Sequence, residues 1–155
     1  MLLHLQNNTR PDITFAVSQC ARYTFCPKLS HEKDLKRIGR YLKGTNTKRL
    51  IMKPRPDLNI DCYVNSDFTG LWGYEDSQDP TCIRSRTRYT IMIGGCLVLW
   101  SSKLHTEIVL STMEAEYFSF STSLKQLIPF KRLVDSVWKT VSLTKEKHIT
   151  LNTTV

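Results

Sequence analysis

The chain has 155 residues, of which 41% are hydrophobic and 23% are charged, and its formal net charge is +8. These values are typical of a folded globular protein, exclude a largely disordered chain, and fit one ordinary core or a core with an appended segment. The positive charge favours a polyanionic partner such as nucleic acid, while a basic surface that only maintains solubility stays open.

The cysteines and the hydrophobic runs indicate the cellular compartment of the protein. The five cysteines contain no Cys-x-x-Cys pair, which argues against a zinc site or a disulfide framework and favours a reducing environment. No apolar run approaches the roughly 18 residues that cross a bilayer, and the apolar start is too short for a signal peptide. We therefore expect a soluble, intracellular, cytoplasmic protein without a membrane partner.

Two amphipathic helices are predicted in the first third of the chain. Thr9–Asp12 has the form of a capping box, and the apolar spacing that follows predicts a helix over residues 11–24. Ser30 can cap a second helix that runs to Lys43 and stops at Gly44. Four cations form a stripe on this helix, which fits nucleic-acid binding or an ordinary solvated face: Lys33, Lys36, Arg37 and Arg40.

A mixed α/β segment follows the proline-rich linker at residues 54–57, where we place a domain boundary. Gly94 and Gly95 predict a two-residue hairpin turn. Because a strand, a hairpin, a helix and a strand follow in that order, the final strand can lie parallel to the first. The predicted strands are Ile60–Ser66, Tyr89–Ile93, Cys96–Trp100, Glu107–Leu110 and Ile149–Val155, with a loop at 69–86 and a polar connection at 142–147.

The helix after the hairpin carries a second capping box, Ser111–Glu114, in which Glu114 has a structural role. Glu116 is expected at the edge of the buried stripe, facing the sheet, where a carboxylate is costly unless it is paired or bound to metal. It is the candidate metal ligand, and a surface glutamate near the helix start is the alternative. Pro129 is expected to break the helix and start another. The predicted buried stripe is Met113, Tyr117, Phe120, Leu124 and Leu127.

Other polar residues carry weaker signals. Arg84, Arg86 and Arg88 alternate beside the hairpin, so a strand would place them on one face. That arrangement suits phosphate contacts or an edge strand that resists aggregation. The four histidines have no spacing for a metal site or a triad, and each is expected at the surface or at a cap: His4, His31, His105 and His148.

Several motifs in the same order resemble copia-type retrotransposon polyproteins. Tyr63–Gly70 is similar to the family's Tyr-Ser-Asp-Ala-Asp-Trp-Ala-Gly, and Ser111–Tyr117 to its Ser-Ser-Thr-Glu-Ala-Glu-Tyr, both from the RNase H region. Residues 9–13 and 36–45 resemble the end of its reverse transcriptase. Arg84–Tyr89 is a partial match to the family's Arg-Lys-Ser-Thr-Ser-Gly-Tyr, and Trp100–Lys103 matches its Trp-x-Ser-Lys.

The resemblance implies reverse transcriptase helices over residues 1–53 and a truncated, RNase H-like mixed sheet with helices over 54–155. The parent enzyme cleaves the RNA strand of an RNA–DNA hybrid with Mg²⁺ or Mn²⁺. Asp67 and Glu116 would be the surviving metal ligands. Asn65 stands at the vacated position of the first aspartate, although Asp67 can also simply close a turn.

The family's next carboxylate belongs to an Asp-Asn pair beyond the last strand, which this sequence lacks, so we expect no unaided nuclease activity and weak or absent Mg²⁺ binding. The expected partners are an RNA–DNA hybrid and the rest of the polyprotein. The alternative is a non-catalytic nucleic-acid-binding remnant. Its contacts would come from the basic helix, from Arg84, Arg86 and Arg88, and from Lys103.

Overall fold

A computed structural model describes residues 1–69, 79–141 and 149–153. The chain divides into two compact units, Met1–Ile51 and Met52–Val155. The first unit is helical and the second is mixed α/β. Among the described residues, no helix combines the length and the apolar character needed to cross a membrane.

The first unit contains three helices around a small apolar core of Ile13, Val17 and Ile38. The predicted first helix forms, but it opens with a 3₁₀ turn, and a further helix that was not predicted precedes it. The second predicted helix also forms, and it starts one residue before Ser30. The helices are α1 (Leu2–Asn8), α2 (Thr14–Arg22) and α3 (Leu29–Gly44), with a 3₁₀ turn at Pro11–Ile13.

The capping box predicted at Thr9–Asp12 is wrong, because Asp12 is held by side chains instead. Arg10 Nε and Nη2 donate to the two carboxylate oxygens of Asp12 at 3.0 and 2.8 Å, and Tyr41 Oη donates to Asp12 Oδ2 at 2.8 Å. Arg10 Nη2 also donates to Thr45 Oγ1 at 2.7 Å. The network therefore ties the start of α2 to the end of α3.

The second unit is built on a four-stranded sheet in the order β3-β2-β1-β4. β1 pairs antiparallel with β2 and parallel with β4, which confirms the predicted direction of the last strand. No strand forms at residues 107–110, so that prediction is wrong. The elements are β1 (Ile60–Asp67), a 3₁₀ turn (Pro80–Ile83), β2 (Arg86–Ile93), β3 (Cys96–Leu104), α4 (Thr112–Thr140) and β4 (Ile149–Thr153).

The predicted hairpin joins β2 to β3 through Gly94 and Gly95, whose φ angles are +54° and +82°. Positive φ at both turn positions suits glycine. The segment before β1 fixes this turn, since Arg55 N donates to the Gly94 carbonyl at 2.7 Å and Gly94 N donates to the Asn59 carbonyl at 2.9 Å.

Helix α4 runs unbroken through Pro129, so the predicted break is wrong. Proline removes one backbone hydrogen bond, but buried side chains on both sides of it, Leu127 and Val134, pack in the core and hold the helix together. The predicted buried stripe is also wrong in its first half, where Met113 is 79% and Tyr117 is 76% exposed. The buried residues of α4 are Ala115, Ser119, Ser123, Leu127 and Val134.

Candidate nucleic-acid interface and acidic residues

Asn65 and Asp67 lie near the end of β1. Cys62 and Val64 are buried in the core with residues of α4, so alternation directs Asn65 and Asp67 to the opposite face of the sheet. The Asp67 carboxylate is already engaged there, because Arg88 Nη2 donates to Asp67 Oδ2 at 2.8 Å. The negative charge of Asp67 is thus balanced by an arginine from the neighbouring strand.

Glu116 lies in the second turn of α4 and is exposed. The start of the helix is fixed as predicted, since Glu114 N donates to Ser111 Oγ at 3.1 Å. The Glu114 carboxylate accepts the backbone N–H of Leu110 at 2.7 Å, which gives it the structural role expected. Ala115, fully buried, is the residue of this turn that packs inward, and Glu116 points away from that contact.

The described residues do not assemble an acidic metal centre. Across residues 1–69, 79–141 and 149–153, no three His, Cys, Asp or Glu side chains converge. The metal-ligand roles of Asp67 and Glu116 remain predictions. The resemblance places the next carboxylate beyond Val155, the last residue of this sequence.

The basic stripe of α3 is exposed over its whole length. Lys36 pairs with Glu32 one turn earlier, with Nζ 2.6 Å from Oε1. The other three cations border a shallow surface cavity of about 360 Å³ that Ser30 and Asp34 also line. The stripe is Lys33, Lys36, Arg37 and Arg40.

Positive charge is concentrated in the first unit. Residues 1–51 contain ten Lys or Arg and three Asp or Glu, a net +7 of the total +8. Residues 52–155 contain twelve and eleven, a net +1. The unit that carries the basic stripe therefore also carries nearly all of the excess charge.

The three alternating arginines do not share one exposed strand face. Arg84 precedes β2 and lies within the predicted loop at 69–86, outside the strand that carries the other two. Arg86 is 3% exposed and donates from Nη1 to the Ser102 carbonyl at 3.2 Å, while Arg88 pairs with Asp67. Lys103, by contrast, is exposed on β3.

One buried polar cluster was not predicted from the sequence. His105 was expected at the surface or at a cap, but it is 2% exposed. Its Nε2 atom lies 2.8 Å from Thr87 Oγ1 and 3.3 Å from Ser119 Oγ. Because these residues are far apart in the sequence, only the tertiary fold brings them together.

Comparison with known proteins finds similar sequences in transposon Pol polyproteins. Over 119 residues, or 77% of this chain, the sequence is 33% identical to the retrovirus-related Pol polyprotein from transposon RE2 of Arabidopsis thaliana. Over 139 residues, or 88% of this chain, it is 33% identical to the corresponding polyprotein from transposon TNT 1-94 of Nicotiana tabacum. This chain is related to a section of transposon Pol polyproteins. The relationship supports a retrotransposon polyprotein fragment.

The section is short relative to those proteins. The two alignments span 8% and 10% of the polyproteins, so the activity of the whole protein does not transfer directly. Over 146 residues the chain is also 28% identical to secreted RxLR effector protein 161 of Plasmopara viticola, covering 91% of that protein. No protein-family model and no solved structure matches the chain.

Proposed function

We propose that this chain joins the end of a copia-type reverse transcriptase to the first part of its RNase H-like domain. The observation that carries the proposal is the sheet order β3-β2-β1-β4, in which α4 precedes a strand parallel to β1. This is the layout that the motif resemblance implies. The similarity to transposon Pol polyproteins supports the same assignment.

The RNase H-like unit is proposed to lack unaided nuclease activity. In the parent family, Mg²⁺ or Mn²⁺ supplies the Lewis acid for phosphodiester cleavage. The donor set here does not fit such a pair of ions: Asn65 is uncharged, Asp67 is paired with Arg88, and Glu116 is exposed on a different element. We therefore expect weak or no binding of either metal.

Cleavage of a labelled RNA–DNA hybrid tests this proposal. The unmodified chain is assayed with Mg²⁺ and with Mn²⁺ beside Asn65→Asp and Glu116→Ala. We expect no cleavage above background from any of the three chains. Cleavage by the unmodified chain that disappears in Glu116→Ala would show that the incomplete carboxylate set suffices and would overturn the proposal.

A second function, non-catalytic nucleic-acid binding, is supported by the charge distribution. Lys33, Arg37 and Arg40 follow one another along a helix face about 10 Å long, at 1.5 Å per residue. Such a row can contact successive backbone phosphates without reading sequence. Because Arg86 is buried and Arg88 is paired, we assign the contact surface to α3 and not to β2.

Binding of the hybrid, measured by fluorescence anisotropy over a range of salt concentrations, tests the role of α3. Replacing Lys33, Arg37 and Arg40 by Gln should reduce affinity at least about tenfold at low salt. The salt slope should also fall by roughly one for each backbone phosphate that the variant no longer neutralises.

The matched control removes the same number of positive charges from α4, by replacing Lys125, Lys131 and Arg132 with Gln. Equal losses in the two triple variants would mean that only net charge matters. The specific role of α3 would then be rejected.

The remaining assignments follow from the proposed origin. The partners would be an RNA–DNA hybrid and the rest of the polyprotein, and the chain would act inside the cell. Cell fractionation with an antibody to the chain checks the location, and its recovery only from the medium would contradict the assignment.

A further inference from the structure

The two halves of α4 are held on the sheet by different forces. The second half contributes Leu127 and Val134 to the apolar core. The first half buries only small side chains, Ala115, Ser119 and Ser123. Since apolar stabilisation scales with the area removed from water, the first half depends more strongly on polar contacts.

Those polar contacts converge on His105. Thr87 Oγ1 from β2 lies 2.8 Å from Ser119 Oγ of α4, and His105 Nε2 contacts both hydroxyls. The imidazole also packs against Phe118, with ring centroids 4.4 Å apart. The backbone N–H of His105 donates to the Ser85 carbonyl at 2.8 Å, which holds the main chain of His105 in place.

The protonated His105 ring would carry an Nδ1–H group that has no acceptor among the described residues. Neutral imidazole offers one donor and one acceptor, whereas the protonated ring offers two donors. His105 Nδ1 is buried without a hydrogen-bond partner among the described residues. A charged ring would therefore place a cation and an unpaired donor in a buried site, which is costly.

The surrounding charges do not offset that cost. Burial alone lowers the pKa of His105 below 6.5. Among the described residues, the acids on neighbouring segments include Asp67, which pairs with Arg88, Asp79, which accepts the backbone N–H of Thr81, and the exposed Glu107, Glu114 and Glu116. The cations there are Arg84, Arg86, Arg88 and Lys103, which would oppose a further positive charge.

We propose that Thr87, His105 and Ser119 form a proton-sensitive latch that holds the first half of α4 on the sheet. Neutral His105 keeps the latch closed, and protonation in mildly acidic solution releases residues 111–123 while the second half stays docked. When the pKa of a group is lower in the folded state than in the unfolded state, the group favours folding fully at pH values above its ordinary pKa. Its contribution is lost as the pH falls below 6.5 towards the folded pKa.

Amide hydrogen exchange on the intact chain tests the latch. Protection factors, corrected for the intrinsic pH dependence of exchange, are compared between pH 7.5 and pH 5.0. We expect protection of residues 114–123 to fall by up to about tenfold per pH unit below 6.5. Residues 127–138 should change little over the same range.

Two variants separate the latch from general acid sensitivity. His105→Gln keeps hydrogen-bonding groups but cannot be protonated in this range, so it should remove the pH dependence. His4→Gln, at an exposed histidine in the first unit, is the matched control and should retain it. An equal loss of protection in both halves of α4, or an unchanged pH dependence in His105→Gln, would overturn the proposal.

A measurement on the unmodified chain covers the case in which His105→Gln does not fold. Titration of the His105 imidazole by NMR should give a pKa below 6.5. A pKa at or above 6.5 would equally overturn the latch.

Discussion

Replacing Asp12 with Asn should weaken the first helical unit in a pH-dependent way. The hydrogen bonds from Arg10, and then from Tyr41, lower the pKa of the Asp12 carboxyl from 3.8 to about 2. The carboxylate therefore favours the folded state fully above pH 4. That contribution disappears as the pH falls from about 4 towards 2.

The size of the effect follows from this pKa difference. At about 1.36 kcal/mol per pH unit, the difference corresponds to about 2.4 kcal/mol. Because the Asp12 side chain is 33% exposed, solvent screening should leave about 1 kcal/mol. The amide introduced by Asp12→Asn would keep one acceptor oxygen but lose the charge that holds Arg10.

Amide exchange is the suitable assay, because all three tryptophans lie in residues 52–155 and fluorescence would report only the second unit. The opening free energy of residues 13–22 and 38–44 should fall by about 1 kcal/mol at pH 7 in Asp12→Asn, and by about half as much at pH 3, which lies between the folded and the ordinary pKa of Asp12. Asp34→Asn, at an exposed position on α3, is the control and should change little. An equal difference at pH 7 and pH 3 would refute the argument.

Two further substitutions test what stabilises the second unit. The stability of both variants is measured by thermal unfolding, followed by tryptophan fluorescence. Pro129→Ala should raise stability by about 1–3 kcal/mol, because it restores a helical hydrogen bond in α4 at an exposed site. A lower melting temperature would show that the proline is needed. Gly94→Ala should destabilise by about 1–2 kcal/mol, because the residue has φ +54° and its Cβ would lie 3.1 Å from Arg55 backbone atoms. Gln126→Ala, at an exposed position of α4 in the same unit, is the control and should not destabilise.

Local sequence patterns predicted the helices and strands more accurately than they predicted how these elements pack. The glycine pair located the hairpin because turn geometry depends on the turn residues themselves. The inward face of α4 was misjudged because Met113 and Tyr117 are its large apolar residues near the start, whereas Ala115 and Ser119 are buried. Small residues of this kind give no strong hydrophobic signal, and the tertiary contact decides the face.

The candidate site shows the same division between local and long-range information. The positions of Asn65 near the strand end and of Glu116 near the helix start followed from local sequence. The pairing of Asp67 with Arg88 required the register of β1 on β2. The burial of His105 likewise depended on β2 and α4 meeting around it.

The parallel pairing of β1 with β4 has a consequence for the order of folding. The β2–β3 hairpin closes between Ile93 and Cys96, whereas β4 joins β1 through the pair Ile60 and Ile149. Loop closure costs more entropy as the sequence separation grows, and long-range pairings slow folding. During synthesis of a polyprotein, the three antiparallel strands can assemble while β1 still has an open edge. β4 can join this sheet only after the ribosome has passed residue 153.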